Sequence, residues 1–559
     1  MVQAQTGADP GRYVLMGRCS SRRNRRNKGD FMRHPNSLKI DGAPGSGKTT
    51  AVIRLMQEHV DDGDFRLGEG IIVSFTRAAA HDIARRINEG GEPGRYHCTL
   101  HALCRRYYGF EGEIAETKLR LFMREEGIPY MPRARGGGDD IAYASNDADP
   151  SPGNQLMGFF NWQRNCMLPL ADAFRMYDPS PELYDWWDLD RLTALWGRYV
   201  AWKRENRYAD FTEMLEYAVE NPPGERFPFF VLDEAQDCTA LQFAVVERFA
   251  AVSDVCYLAG DIDQGIYSFI GADTREFMEA ETTATDLLTV NHRSGTTLVN
   301  AAQQVIERNK RRFPKHVEAA REGGIVTESR WMPELDPTES TFVLARGHYL
   351  LGEQIAELQR AGYPFVEARG KYGVGGKASA AYERIRALLR GQTVTLDEWR
   401  LILDLVPSKG PWLMRGAKTR VRNLDEELRH TTYIRPGQLV DYGATADFVA
   451  AVRAGSMDPF ARIDETQRDY LRMVEERYGS EYLEPVKARQ TCFVGPIHAV
   501  KGLEADHVVL HHGMPPASFD AARIDPEPER RVMYVGMTRA RERLTWLTTP
   551  TPRTMPAIL

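Results

Sequence analysis

Apolar and polar positions along this chain change period several times, and each change marks an element. Ser37-Leu-Lys-Ile-Asp41 reads as a short strand entering a glycine-rich loop, and a helical period follows from Thr49 to about His59. Ile71–Ser74 reads as a strand and Ala78–Ile87 as a helix. Phe229–Leu232 and Val255–Leu258 read as buried strands with a helix between them. Short apolar strands alternating with amphipathic helices predict an α/β fold with a parallel, doubly wound sheet. Between Arg105 and Arg204 the alternation stops. That stretch is helical in pattern, carries Trp162, Trp186, Trp187, Trp196 and Trp202, and is broken by a loop over Gly136–Gly153. Its tryptophans read as core.

A second α/β pattern follows: strand Asp286–Val290, helix Ser294–Asn309, strand Thr341–Leu344 and helix Gly352–Ala361. A mixed helical segment interrupts it, and strands Gln490–Val494 and Asp506–Leu510 resume it. The predicted organisation is one α/β domain from 38–105 and 205–280 with 106–204 inserted. A second is built from 281–369 and 489–559 with 370–488 inserted. Residues 1–37 hold a basic cluster (Arg18, Arg22, Arg23, Arg25, Arg26, Lys28, Arg33) and read as a solvated, disordered arm rather than a phosphate-binding one.

Composition narrows the class without naming a function. The chain has 559 residues, 42% hydrophobic and 27% charged, in the range of globular proteins. No apolar run approaches the ~20 residues of a membrane span, and the N-terminus lacks a secretory core, so a cytoplasmic protein without a membrane partner is expected. Seven cysteines without a CxxC pair give no disulfide framework. A net charge of −6 means that a nucleic-acid partner would need a local basic groove. His97, Cys98, His101 and Cys104 have ligand chemistry, but structural zinc draws ligand pairs from two separate elements, and this cluster is not read as a metal site.

Two sites carry chemistry. Gly42, Ala43, Pro44, Gly45, Ser46, Gly47, Lys48 and Thr49, with Thr50 behind them, form a phosphate loop between a strand and a helix. Backbone N–H groups and the helix N-terminus would wrap the phosphates of ATP, Lys48 would reach the β- and γ-phosphates, and the Thr49 hydroxyl would hold Mg²⁺. Val231-Leu-Asp233-Glu234 ends a buried strand with two adjacent carboxylates. Asp233 suits the Mg²⁺ ligand role, and Glu234 can orient or deprotonate the attacking water. Together they predict ATP hydrolysis.

Asp233-Glu-Ala-Gln-Asp237 and Ala259-Gly-Asp-Ile-Asp-Gln264-Gly-Ile-Tyr267-Ser-Phe269-Ile-Gly-Ala272 closely resemble the UvrD/Rep/PcrA group of superfamily 1 helicases. Ser74–Ala79, Thr99–Leu103, Tyr208–Leu215, Leu288–Ser294, Ile497–Asp506 and Val532–Ala540 resemble further blocks of that family, in its order, over about residues 38–550. The resemblance implies two RecA-like P-loop motor domains and an ATP-dependent single-stranded DNA translocase and helicase of 3′ to 5′ polarity. It implies arginine fingers at Arg293 and Arg539, a γ-phosphate sensor at Gln264, and nucleotide contacts from His292 and Glu504. For DNA it implies contacts from Phe75, Thr76, His101, Tyr267, Phe269 and His498, with Phe75 and Phe269 as base-stacking platforms.

The chain departs from the family pattern in four places. No glutamine block precedes the phosphate loop, His292 stands where the family usually has Tyr, Ile270 where it usually has Arg, and segment 370–488 is short. The expected partners are single-stranded DNA and single/double-strand junctions, with protein partners from repair, replication or defence. The other reading is a DNA-stimulated ATPase or translocase that displaces proteins or serves a nuclease or defence complex with little unwinding of its own.

Overall fold

The computed structural model describes residues 36–554, apart from 64–65, 76–79, 81–82, 84–85, 87–93, 132–150, 371, 376, 425–432 and 549. Two six-stranded sheets organise it, and every pairing within them is parallel. The first contains β1 (Ser37–Gly42), β2 (Ile71–Val73), β3 (His97–Cys98), β4 (Phe227–Leu232), β5 (Ser253–Gly260) and β6 (Ala284–Leu288), in the order β3-β2-β4-β5-β1-β6. A short pair, β7 (Val290–Asn291) with β8 (Glu318–Ala319), lies at the crossing between the sheets. The second sheet contains β9 (Ile325–Ser329), β10 (Thr341–Ala345), β11 (Val366–Glu367), β14 (Cys492–Pro496), β15 (Ala505–His511) and β16 (Ala540–Leu547), in the order β11-β14-β10-β15-β16-β9. The remaining strands, β12 (Val394–Thr395) and β13 (Tyr433–Ile434), form a two-residue antiparallel pair in the second insertion.

Central strands are apolar on both faces because helices cover both sides of a parallel sheet. In β4 the run Phe229, Phe230, Val231 and Leu232 is buried, and it delivers Asp233 at its carboxyl end. Helix starts are locally encoded: Thr99 caps Leu100–Tyr108, and Thr239 with Gln242 forms a capping box on Ala240–Ala250. The carboxyl ends of β1, β4 and β5 lie side by side in the first sheet, where doubly wound folds bind ligands.

Two domain expectations need correction. The strand expected to open the second α/β domain is β6, and it pairs with β1 in the first sheet, Leu38 with Ala284 through Gly42 with Leu288. Its residues are largely exposed, so their apolar pattern says little, and the free edge of β1 decides where the backbone bonds go. Within 370–488, the helix Glu465–Tyr478 packs Tyr470, Leu471 and Val474 into the core of the second sheet beside Val343, Phe365 and Val494. The separate core of that insertion runs from Ala381 to Ile463 around Trp399. An amphipathic period shows that a helix buries a face, not which core receives it.

In the first insertion, the five tryptophans pack with Phe122, Phe159, Phe160 and Tyr199 in one apolar cluster, as core residues do. Among the described residues no helix is long and apolar enough to cross a membrane. The basic cluster from Arg18 to Arg33 lies outside the described residues.

Candidate nucleotide and nucleic-acid site

The phosphate loop leaves β1 at Gly42 and enters the helix Lys48–Asp61 at Lys48. Gly45 has φ +66°, and a Cβ there would stand 2.7 Å from Cβ of Arg293, so only glycine fits both the backbone and its neighbour. A Cβ on Gly42 would meet Cγ of Lys48 at 2.3 Å. The Lys48 ammonium donates to the carbonyls of Gly42 (2.9 Å) and Ala43 (3.3 Å), and the Thr49 hydroxyl donates to Asp233 Oδ2 (3.4 Å). Two buried oxygens here, Ser46 Oγ and Asp233 Oδ1, have no hydrogen-bond partner among the described residues. A hydroxyl and a carboxylate facing each other beside orphaned oxygens form a donor set that suits a hard divalent cation, and Mg²⁺ fits it. Burial, then the adjacent Glu234, pushes the Asp233 carboxyl up to about 7.

Glu234 adopts φ +57°, a left-handed conformation rare outside glycine, which marks local strain at the end of β4. Gln236 Nε2 donates to its Oε2 at 2.5 Å. Burial opposes ionisation of Glu234, but Lys501 and then Lys48 outweigh it and hold its pKa below the usual carboxylate range.

The second sheet supplies the facing groups. Arg539 follows the helix Glu527–Met537 and is buried; its Nη2 donates to Gln264 Oε1 (2.7 Å) and its Nε to the Val535 carbonyl (3.0 Å). Burial, then Arg293, pushes its guanidinium down to about 9. Arg293 ion-pairs with Glu504 through Nε and donates from Nη1 to the Thr538 carbonyl at 3.0 Å. The neighbouring His292 is exposed, and its backbone N–H donates to the Gly45 carbonyl (2.9 Å). Glu504 also accepts from Arg541 (2.9 Å). Lys501, in the loop after β14, ion-pairs with Asp237, donates to the Gln264 carbonyl (2.6 Å) and lies 3.9 Å from Glu234 Oε2. Lys48, Glu234, Gln264, Arg293 and Arg539, distant in sequence, thus come together where loops of the two sheets meet: Arg293 packs on Gly45 of the phosphate loop, Arg539 on Gln264, and Lys48 and Arg539 both act on the Glu234 charge.

Beside the cleft runs an aromatic row. Phe75 stacks on Tyr267 (centroids 4.9 Å, interplanar 23°), while Phe269 meets Tyr267 at 6.0 Å and His498 at 5.6 Å edge-on. Phe75 and Phe269 are half-buried; Tyr267 and His498 are buried, so the first two can offer ring faces and the others back them. The Lys501 ammonium lies 5.1 Å above the Tyr267 ring, tying the row to the nucleotide side. Burial, then Arg346, pushes His498 down to about 3, which leaves it neutral. His101 packs edge-on against Phe211 (5.8 Å). Thr76 lies outside the described residues.

Sequence reasoning passed over a cluster at the carboxyl ends of β1 and β5. Lys315, fully buried, donates to Asp261 Oδ1 (2.7 Å) and Asp41 Oδ1 (3.0 Å), while Arg312 forks onto Asp263 (2.6 Å). In sequence both belong to Arg308-Asn-Lys-Arg-Arg-Phe-Pro-Lys315, which reads as a solvated basic run. Only the carboxylates that fold against it reveal otherwise. Of His97, Cys98, His101 and Cys104, the two cysteines are buried in the core of the first sheet, and His97 Nδ1 accepts from the Gly94 N–H (2.9 Å).

Two sequence models match the chain: the UvrD/REP helicase N-terminal domain over residues 28–285 and the UvrD-like helicase C-terminal domain over residues 466–550. Together they cover more than half of it. The chain is 26% identical over 566 aligned residues to the ATP-dependent DNA helicase UvrD2 of Mycobacterium tuberculosis, spanning 91% of this chain and 76% of that protein. It is 27% identical to the putative ATP-dependent DNA helicase YjcD of Bacillus subtilis, over 55% of this chain and 41% of that one. It is 24% identical to the ATP-dependent DNA helicase PcrA of Leuconostoc citreum, over 55% and 42%.

Proposed function

The chain belongs to the UvrD/Rep/PcrA-like superfamily 1 helicases, ATP-dependent DNA helicases, and from that premise we propose that it is an ATP-driven translocase on single-stranded DNA that moves 3′ to 5′ and unwinds duplex ahead of it. One observation carries the reading. The contacts Arg539–Gln264 and Lys501–Asp237 join loops of the second sheet to loops of the first, over the carboxylates that face the phosphate loop.

In this reading 38–105 with 205–280 and 281–369 with 489–559 form the two motors in outline, with β6 assigned to the first. Lys48 and the loop N–H groups bind the β- and γ-phosphates. Thr49 and Asp233 hold Mg²⁺, which when bound neutralises charge on the phosphate oxygens. Glu234, kept anionic by Lys501 and Lys48, orients the attacking water and accepts its proton. Arg293 and Arg539 set positive charge against the transferring phosphoryl group, a contribution of ~10³–10⁵ in rate for such fingers. Glu504, paired with Arg293 and Arg541, binds a ribose hydroxyl in this reading, and His292 stacks on the base.

Gln264 carries nucleotide state along the chain to Tyr267 and Phe269, three and five residues on in the same loop. Bases stack on Phe75 and Phe269, a grip indifferent to sequence. His101 lines the strand path. Because the Arg539–Gln264 contact closes on one triphosphate, each round of hydrolysis shifts the two sheets and advances the grip.

The test is translocation on DNA and RNA strands of both polarities, with ATP turnover followed in parallel. Turnover raised by single-stranded DNA and movement toward the 5′ end are expected. Turnover indifferent to nucleic acid would count against the motor.

A further inference from the structure

We propose that Lys315 is a positioning residue for Gln264: by neutralising and orienting the Asp261 carboxylate, it fixes which end of the Gln264 amide faces the cleft. The inference rests on the motor reading above. Asp261 is a node. Its Oδ1 accepts from Lys315 Nζ (2.7 Å) and from the Asp263 N–H (3.1 Å), which leaves Oδ2 to accept from Gln264 Nε2 at 2.6 Å. An ionised carboxylate only accepts, so the Gln264 NH₂ must face it and Oε1 must turn outward, where Arg539 donates to it at 2.7 Å. The Asp261 backbone N–H donates to Gln236 Oε1 (2.8 Å), and Gln236 Nε2 donates to Glu234 (2.5 Å). One buried ammonium therefore underlies both the sensor and the water-orienting carboxylate.

The placement of Lys315 gives this relay a mechanical input. Arg311, four residues earlier, holds Glu527 (3.0 Å) at the start of the second-sheet helix that leads to Arg539. Arg312 and Lys315 hold Asp263, Asp261 and Asp41 at the carboxyl ends of β5 and β1 in the first sheet. A single segment thus grips both halves of the cleft, and Lys315 is its contact with the sensor.

Lys315→Met alone leaves three buried carboxylates facing one guanidinium and is expected to unfold. The test variant is therefore Lys315→Met with Asp41→Asn, which removes one negative charge along with the positive one. Asp261→Asn, nearly isosteric but without the charge that orients the amide, is the second. With the full chain and single-stranded DNA, either is expected to keep its melting transition and its KM for ATP while kcat falls roughly tenfold. In a Gln264→Ala background the same changes should lower kcat no further, because coupled residues are non-additive. Equal loss in both backgrounds, or wild-type kcat beside a Gln264→Ala defect, overturns the proposal. Lys48→Ala is the separate control: if it leaves turnover intact, the ATPase reading fails instead.

Discussion

Arg539 and Gln264 share a hydrogen bond of 2.7 Å, Nη2 to Oε1, although 275 residues separate them. The guanidinium is buried and cannot reach water for compensation, so the contact depends on how the second sheet is seated on the first. In the proposed mechanism it is the point at which nucleotide chemistry and relative movement of the sheets become one event.

Arg539→Ala is expected to lower DNA-stimulated kcat by ~10³ or more while ATP binding persists, since in the proposed mechanism the residue acts on charge that develops during transfer. Steady-state turnover and nucleotide-binding titration separate the two. Equal loss of binding and turnover would make the residue a ground-state contact.

Glu234→Gln keeps the shape of the side chain and removes its basicity. A fall in kcat of roughly 10²–10⁴ is expected, with ATP affinity retained. Lys48→Ala should instead weaken ATP binding itself. Single-turnover hydrolysis checks the first and equilibrium binding the second, and a Glu234→Gln enzyme with normal turnover would remove that residue from the chemistry.

Phe75→Ala and Phe269→Ala each take away one stacking face. Affinity for single-stranded DNA should fall by about 1–3 kcal/mol per site, with DNA-free ATP turnover unchanged. Fluorescence anisotropy with a labelled oligonucleotide measures this. Affinity within error of wild type for both would move the DNA path away from this row.

Three buried histidines predict acid sensitivity. Burial is the main cause in each, and it pushes His498 down to about 3 and His507 and His511 to about 4. The unfolded chain takes up these protons near pH ~6.5 and the folded one only near pH 3 to 4. Stability is therefore full above pH ~6.5 and declines as pH falls below it, by up to about 1.4 kcal/mol per pH unit for each histidine. Denaturant melts from pH 7.5 to 5 give the slope; a slope unchanged in His498→Asn would show that this histidine is not a source.

Trp399→Ala tests the second insertion. The indole is fully buried and donates to the Tyr442 carbonyl (3.1 Å), so a loss of about 3–5 kcal/mol is expected in that core. Because the cluster from Ala381 to Ile463 is separate from the cores of the sheets, hydrogen exchange should rise there first, before the two sheets lose protection.

Legibility followed distance along the chain. The phosphate loop and Asp233-Glu234 could be read directly, since their chemistry is local: a glycine turn, a helix start and a strand tip are each encoded by contiguous residues. The five insertion tryptophans were legible as core from residue type alone. Arg293, Gln264, Arg539 and the aromatic row came only through family resemblance, because nothing in a lone arginine or phenylalanine announces a partner hundreds of residues away.

The sequence by itself determined the α/β class, the presence of a nucleotide site, the helical nature of both insertions and the family. Periodicity, capping and short motifs act over a few residues, and so they survive without a fold. Tertiary structure alone decided that β6 completes the first sheet, that Glu465–Tyr478 packs on the second, and that Lys315 is buried against three carboxylates instead of hydrated. Those outcomes depend on which backbone edge is free and which charges meet away from water, and such pairings exist only after the chain has closed on itself.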